Sequence, residues 1–154
     1  MSHEVQLRDV RESDLEVFYE QEQDPEASRR ARFPSRERTR FMTHWTTRIL
    51  ANPTGHVQAI TVDDLPAGHL VAWWEEDKRY IGYWLDRRYW AQGIGTRALA
   101  LFLAKERTRP LYADPASTNT ASVRLLLKSG FRPVGPVHHD GEEHLLLVLG
   151  AEQG

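Results

Sequence analysis

The stretch IGYWLDRRYWAQGIGTRALALFL, residues 81–103, decides the fold, because it joins a predicted strand to a predicted helix through a loop that ends in two glycines. After the loop, apolar residues recur at helical spacing, namely Ile94, Ala98, Leu101 and Phe102. Gly93 and Gly95 let the backbone approach a ligand closely. The first amides of a helix have no acceptor within it, and together with the helix dipole they attract an anion. The segment predicts a pyrophosphate-binding turn, although paired glycines can also serve only to shape a tight turn.

A dinucleotide site is the strongest rival interpretation of this loop. Residues 93–98 match GxGxxA, and Asp114 follows the next predicted strand. However, the bulky polar run 86–92 separates the strand from the first glycine, whereas a dinucleotide-binding glycine directly follows its strand. Only about 40 residues follow Asp114, too few for the rest of a doubly wound sheet. A P-loop is excluded because the chain has no GxxxxGK[ST] sequence.

The segments before this stretch predict an antiparallel meander. Three strand candidates follow one another at 56–62, 68–74 and 79–85, separated by the turn sequences DDLP and EEDK. Upstream, Val5 and Leu7 open a strand, and the spacing of Ser13 and Glu16 predicts a capped helix. Residues 23–34, interrupted by two prolines, are expected to form a loop or a broken helix. A second helix, starting at residue 35 and ending before Pro53, has an apolar face of Phe41, Met42, Trp45 and Ile49.

The segments after it predict a short strand, a helix and a closing hairpin. The strand is expected at 111–113 and the helix at 120–129, with Val123, Leu126 and Leu127 on its apolar face and Gly130 as its cap. Two strands joined across Asp140 and Gly141 end the chain. The expected fold class is α/β, of the α+β type, with a mixed, mostly antiparallel central sheet flanked by helices.

Composition limits the possible functions. A chain of 154 residues predicts a single domain over 1–150, followed by a short tail at 151–154. The net charge of -2 favours neither nucleic acid nor an anionic membrane as a partner. No cysteine is present, which excludes disulfides and thiol nucleophiles. The sequence shows no signal peptide and no apolar membrane span, so we expect a cytoplasmic protein. We expect it to be a monomer or a homodimer.

Two motifs resemble those of the GNAT superfamily of N-acetyltransferases. The loop resembles the family's acetyl-CoA motif, with Gly93 and Gly95 at its glycine positions and Trp90 where glutamine or arginine is usual. GYW followed by YWxxGxGT resembles the branch that acetylates protein N-termini and related amines. Residues 119–131 are similar to the NxxS…GF segment of the same branch. The resemblance covers residues 56–149.

The resemblance implies a function and a cofactor site. It implies transfer of an acetyl group from acetyl-CoA to a primary amine, either a protein or peptide N-terminus or a small amine. Acetyl-CoA would bind where two central strands diverge, with Asn119 and the backbone of Trp84 and Leu85 along the pantetheine arm. The pyrophosphate would lie on the loop residues Gln92, Gly93, Ile94, Gly95, Thr96 and Arg97.

Candidate catalytic residues are Ser122, Tyr80 and Asp114. The family often protonates the departing thiolate with a tyrosine at the position that Leu126 holds here, so Ser122, one helical turn after Asn119, is the candidate acid; it could instead only bond the backbone. Tyr80 stands near the family's usual glutamate and could relay a proton through water, or it could simply pack. Asp114 could accept a proton or hold an ammonium, or it could form a turn before Pro115.

Other residues leave alternatives open. His138, His139 and His144 fit no metal-ligand spacing and are expected to be exposed hairpin residues. The tryptophans Trp73, Trp74, Trp84 and Trp90 could line an acceptor pocket or fill the core. Because the family's usual glutamate is missing, a regulatory domain that senses acetyl-CoA without catalysis remains the alternative to an enzyme.

Overall fold

The computed structural model describes residues 3–32 and 35–150. Over these residues the strands are β1 (Val5–Arg8), β2 (His56–Val62), β3 (Leu65–Glu75), β4 (Lys78–Leu85), β5 (Leu111–Ala113), β6 (Arg132–His139) and β7 (Glu142–Leu149). The α-helices are α1 (Glu12–Glu22), α2 (Pro25–Ala31), α3 (Arg38–His44), α4 (Ile94–Lys105) and α5 (Thr120–Lys128). A π-helical turn, Trp45–Ile49, continues α3, and a 3-10 turn, Arg87–Tyr89, follows β4.

One seven-stranded sheet has the order β1-β2-β3-β4-β5-β7-β6. Each neighbouring pair is antiparallel except β4 with β5, which confirms the predicted mixed, mostly antiparallel sheet. The parallel pair is short, because only Arg79 with Leu111 and Tyr80 with Tyr112 are in register. Within the described chain, β4 therefore continues from Ile81 to Leu85 with no strand partner on that side.

Helices cover both faces of the sheet and form two cores. Leu70 and Ile81 of the sheet pack with Phe102 of α4 and Leu126 of α5 on one face. On the other face, a second cluster comprises Leu15 and Phe18 of α1, Phe41, Trp45 and Ala59. The predicted apolar face of the second helix is thus confirmed as core for Phe41 and Trp45, both fully buried.

The N-terminal cap of the first helix differs from the prediction. The helix begins at Glu12, and the carboxylate of Asp14 accepts a hydrogen bond from the amide of Arg11 at 2.7 Å. Asp14 also binds the guanidinium of Arg8 through two hydrogen bonds of 2.7 and 2.9 Å. The predicted box of Ser13 and Glu16 is wrong, because this tertiary ion pair holds Asp14 in place and moves the start of the helix.

Residues 23–34 contain a real helix, α2, within their described part. Asp24 caps it by accepting from the amide of Glu26 at 3.2 Å, and Pro25 occupies its first turn, where a missing N–H costs nothing. Pro34 lies outside the described residues. In α5, Leu126 is buried but Leu127 is 46% exposed, so the predicted apolar face is wrong at Leu127.

The hairpin turns form as predicted. Asp140 and Gly141 both adopt positive φ, 51° and 82°, as the two central residues of the β6–β7 turn. Two such residues in a two-residue loop match the right-handed twist of the flanking strands. Among the described helices, none is long and apolar enough to cross a membrane.

Candidate active site

A cavity of about 640 Å³ opens where β4 leaves β5 and the first turns of α4 and α5 meet. Six of the residues predicted to bind the cofactor line it, together with the candidate acid Ser122: Trp84, Leu85, Gly93, Gly95, Thr96 and Asn119. Its floor is apolar and includes Ile60, Leu70 and Leu99. The structure therefore brings the two sequence motifs, from separate helices, to the same cavity.

The two glycines shape the mouth of this cavity. Gly93 is the N-cap of α4 with φ of 77°, and a Cβ added there would meet no atom within 4 Å, so the backbone faces open space. No side chain caps this helix, which leaves its first amides available to a ligand. At Gly95, a Cβ would contact Leu125 at 3.5 Å, because the start of α4 packs against α5. This geometry suits a pyrophosphate held by main-chain donors.

The side chains of the remaining loop residues are engaged away from the cavity. The side chain of Gln92 donates to the carbonyl of Arg88 at 2.7 Å, and the side chain of Ile94 is buried in the core. The guanidinium of Arg97 donates to the carbonyl of His3. None of these three residues lines the cavity, and the amide of Arg97 already donates to the carbonyl of Gly93 at 3.1 Å.

Trp90 fastens the loop to the end of β4. Its indole Nε1 donates to the carbonyl of Leu85 at 2.8 Å, and the guanidinium of Arg30 lies 4.4 Å from its ring centroid. The carbonyl oxygen of Leu85 therefore already accepts a hydrogen bond from within the protein. Of the four tryptophans considered for an acceptor pocket, only Trp84 and Trp90 line this cavity.

Positive side chains on α5 also reach the cavity, which the sequence analysis did not identify. Arg124 and Lys128, four residues apart on one helical face, line it, as does Arg30 of α2. Neither Arg124 nor Lys128 forms an ion pair with a described residue. No aspartate or glutamate occurs among the described residues of the cavity wall. The spacing of Arg124 and Lys128, four residues apart, is the sequence signal that could have identified them. Because the charged side chains of the cavity wall are positive, the cavity is suited to a polyanionic ligand.

Ser122 lies on the cavity wall and is held by two partners. Its hydroxyl is hydrogen-bonded to the hydroxyl of Tyr83, and its amide donates to Asn119 Oδ1 at 3.3 Å. Burial raises the pKa of Tyr83 to about 12, against a smaller opposing effect of this hydrogen bond. Tyr83 therefore stays protonated at neutral pH. It was missed from the sequence, where it was treated only as part of the GYW motif.

Asp114 lies after β5, outside the cavity lining, and connects to two histidines. Its Oδ2 is 2.8 Å from His139 Nε2, and its carbonyl oxygen is 2.8 Å from His144 Nδ1. The two imidazole centroids are 4.7 Å apart. His138 and His139 are exposed on the hairpin as expected, whereas His144 is half-buried. No group of three or more potential ligands arranged for a metal ion occurs among the residues described.

Tyr80 packs between other aromatic rings and does not line the cavity. Its ring stacks on Trp73 with centroids 6.0 Å apart and lies 5.8 Å from Tyr112. Burial and the nearby Asp114 carboxylate raise the pKa of Tyr80. At neutral pH this residue can donate a hydrogen bond but is a poor base.

A family model and several solved structures are similar to this chain. The family model for the acetyltransferase (GNAT) domain matches residues 4–132. An uncharacterized protein from Bacillus halodurans has a similar structure, with a TM-score of 0.79, 16% identity, and 96% of this chain and 84% of that chain covered. The aminoglycoside acetyltransferase AAC(6')-Ib, in complex with ribostamycin and coenzyme A, has a TM-score of 0.78 and 22% identity, with 94% and 92% covered. RimL, a ribosomal L7/L12 alpha-N-protein acetyltransferase in complex with coenzyme A, has a TM-score of 0.75 and 21% identity, with 96% of both chains covered.

Proposed function

Because the chain belongs to the GNAT acetyltransferase family and is an acyltransferase that uses acetyl-CoA, we propose that it acetylates a primary amine, on a protein or peptide N-terminus or on a small molecule. The observation that carries this proposal is the cavity at the β4–β5 divergence, where the uncapped start of α4 and the Ser122 hydroxyl face the same space. Direct transfer needs a donor and an acceptor held together, a neutral amine and a proton source, but no protein nucleophile.

The residues of the cavity fit acetyl-CoA. The space in front of Gly93 admits a phosphate against the amides of Ile94, Gly95 and Thr96, which have no acceptor within the helix, whereas the amide of Arg97 donates to the carbonyl of Gly93 at 3.1 Å. Arg124 and Lys128 add positive charge for a ligand rich in phosphate. Asn119 and the backbone at Trp84 are placed to bind the pantetheine arm. When bound, acetyl-CoA supplies an acetyl group activated as a thioester.

Ser122 is the proposed proton donor to the departing sulfur. The single proton of the Tyr83 hydroxyl can go to the carbonyl oxygen of Ser122, 3.3 Å away, or to Ser122 Oγ. In the second arrangement the hydrogen of Ser122 is free to point into the cavity. Tyr83 is then a positioning residue, because its own pKa of about 12 keeps its proton in place at neutral pH. A hydroxyl aimed at the sulfur passes it a proton as the C–S bond breaks, and water returns a proton to Ser122 in the same step, so that no serine alkoxide remains.

Asp114 is the proposed acceptor of the amine proton. Its carboxylate is oriented by the 2.8 Å contact to His139, so the pair can take up a proton or hold the ammonium before it loses one. Tyr80 lies close enough to Asp114 for the carboxylate to raise its pKa, and it could pass a proton through water.

Release of free thiol from acetyl-CoA in the presence of a library of primary amines tests the proposal. The expected result is amine-dependent thiol release, which falls in the Asp114→Asn and Ser122→Ala variants. If the protein binds acetyl-CoA but releases no thiol with any amine, the family's fold serves as a sensor here, and the proposed enzyme is wrong.

A further inference from the structure

A second cavity, of about 890 Å³, lies between α2 and the segment that precedes α5. The charged side chains that line it are all arginines, Arg29, Arg30 and Arg32, and Thr118 closes it on the α5 side. No carboxylate is found among the described residues that line this cavity. A volume in this range accommodates a ligand the size of a short peptide segment.

The second cavity adjoins the cofactor cavity. Arg30 lines both, and Thr118 directly precedes Asn119, which lines the cofactor cavity. A molecule that occupies the second cavity therefore lies beside the bound cofactor. The acceptor of the proposed reaction must occupy such a neighbouring position, because its amine has to reach the thioester.

Arg30 lies at the junction of the two cavities. Its guanidinium lies over the ring of Trp90, and its Nε donates to Glu26 at 3.1 Å. This is its only hydrogen bond to the described residues, so both terminal nitrogens of Arg30 remain available to a ligand. The ion pair between Asp24 and Arg87 anchors α2 to the loop after β4, which keeps the arginine in position.

The charged side chains that line the cavity are all positive, and their ion-pair partners lie outside the lining. Glu26 is shared by Arg29 and Arg30, and Glu142 binds Arg32 at 2.8 Å. Three guanidiniums are thus held by two carboxylates, and those carboxylates do not line the cavity. Unused guanidinium donors bind carboxylates in planar, two-point geometry, whereas a like charge brought against them is repelled.

We propose that this cavity binds the acceptor, and that its arginines select an amine carried by an acidic peptide, with Asp or Glu in the first residues after the N-terminus, over polycationic amines. The inference rests on the proposed acetyl transfer and adds the chemical class of the acceptor. Arg30 and Arg32 contact the acidic side chains, while the amine extends past Arg30 toward the cofactor.

The test uses three peptides of equal length and identical N-terminal residue that carry aspartate, asparagine or lysine at positions two to four. Thiol release gives kcat/KM for each peptide at low and moderate salt. We expect kcat/KM to decrease from the aspartate to the asparagine to the lysine peptide, with about tenfold or more between the extremes and a smaller ratio at higher salt. A polyamine should be a poor acceptor.

Two variants assign the selectivity to the cavity. Arg30→Gln and Arg32→Gln should each reduce the ratio between the aspartate and lysine peptides at least threefold, mainly through KM. Arg32 lines only the second cavity, so its variant should leave the KM for acetyl-CoA unchanged. Arg107→Gln is the matched control, because Arg107 is exposed and lines neither cavity, and it should keep the wild-type ratio.

The outcomes separate this inference from the proposed function. Equal kcat/KM values for the three peptides, or a preference for lysine or a polyamine, would overturn the inference and leave the acetyltransferase intact. If no acceptor releases thiol, the proposed function fails, and calorimetric titration of the same peptides into the CoA-bound protein still tests the cavity. Tighter binding of the aspartate peptide, lost in Arg32→Gln, supports the arginine site; equal binding refutes it.

Discussion

Glu106 holds the end of α4 against the sheet, and its removal should destabilise the protein strongly. The carboxylate is 5% exposed and accepts hydrogen bonds from Arg79 at 3.0 Å and from the amide of Thr108 at 3.3 Å, and it lies 3.1 Å from His56 Nδ1. Arg79 is also buried and donates to the carbonyl of Thr54 at 2.7 Å. Replacing Glu106 with glutamine leaves a buried guanidinium without its counter-charge.

The pKa of Glu106 sets the magnitude of this effect. Burial alone would raise the pKa, but hydrogen bonds from Arg79, Thr108 and His56 outweigh burial and lower it from 4.5 to about 2. A difference of about 2.5 units between the unfolded and folded states corresponds to about 3 kcal/mol of folding free energy. Since the folded pKa is the lower one, this contribution is complete above pH 4.5 and disappears as the pH falls through about 2.

Urea unfolding at pH 7, 5 and 3 measures the prediction. The Glu106→Gln variant should lose about 3 kcal/mol at pH 7 and nearly the same at pH 5, and the difference from wild type should narrow at pH 3. Glu16→Gln is the control, because the Glu16–Arg38 pair is exposed and should change stability little. A loss below about 1 kcal/mol at pH 7, or a loss equally large at pH 3, would refute the stabilising role of the buried pair.

Three further predictions concern the proposed cofactor and reaction. Gly95→Val should lower acetyl-CoA affinity about tenfold or more in a folded protein, because its side chain enters the space beside Leu125 at the start of α4; unchanged affinity by calorimetry would remove the glycine loop from the site. Ser122→Ala should lower kcat by about ten- to a hundredfold with little change in acetyl-CoA affinity, and wild-type turnover under chemistry-limited conditions would assign the proton to solvent. Acetyl-CoA should raise the melting temperature and NAD should not; micromolar NAD binding without CoA binding would reverse the cofactor assignment.

The fold was predictable where local patterns determine it. The meander follows from short apolar strands separated by turn residues, and the strand–loop–helix stretch follows from a change of period around two glycines. The cap of α1 was not predictable, because the position of Asp14 is fixed by its ion pair with Arg8. That ion pair forms only once β1 and α1 have packed together. The short helix α2 was ambiguous for a related reason, since Asp24 binds Arg87, far along the chain.

The cofactor side of the candidate site was also predictable, because it is largely main chain. An uncapped helix start after a glycine pair suits an anion whatever the neighbouring side chains are, although the pair can also serve only to shape a tight turn. Tyr83 and Lys128, by contrast, contribute side chains from different elements. Both line the same cavity only because of the way in which α5 packs beside β4. Helical spacing could have predicted that Arg124 and Lys128 share one face of α5. It could not have predicted that this face borders the cavity.

The acceptor side of the candidate site was the hardest part to predict from the sequence, because its residues come from positions far apart in the chain. Asp114 and His139 are 25 residues apart and meet only because β7 pairs with both β5 and β6. Arg32 and Glu142 meet across 110 residues, between the end of α2 and the closing hairpin. No local period connects such positions, so a motif can identify the acetyl donor while leaving the acceptor open. The proposed acceptor selectivity therefore rests on side chains that only the fold brings together, such as Arg32 of the arginine-lined cavity.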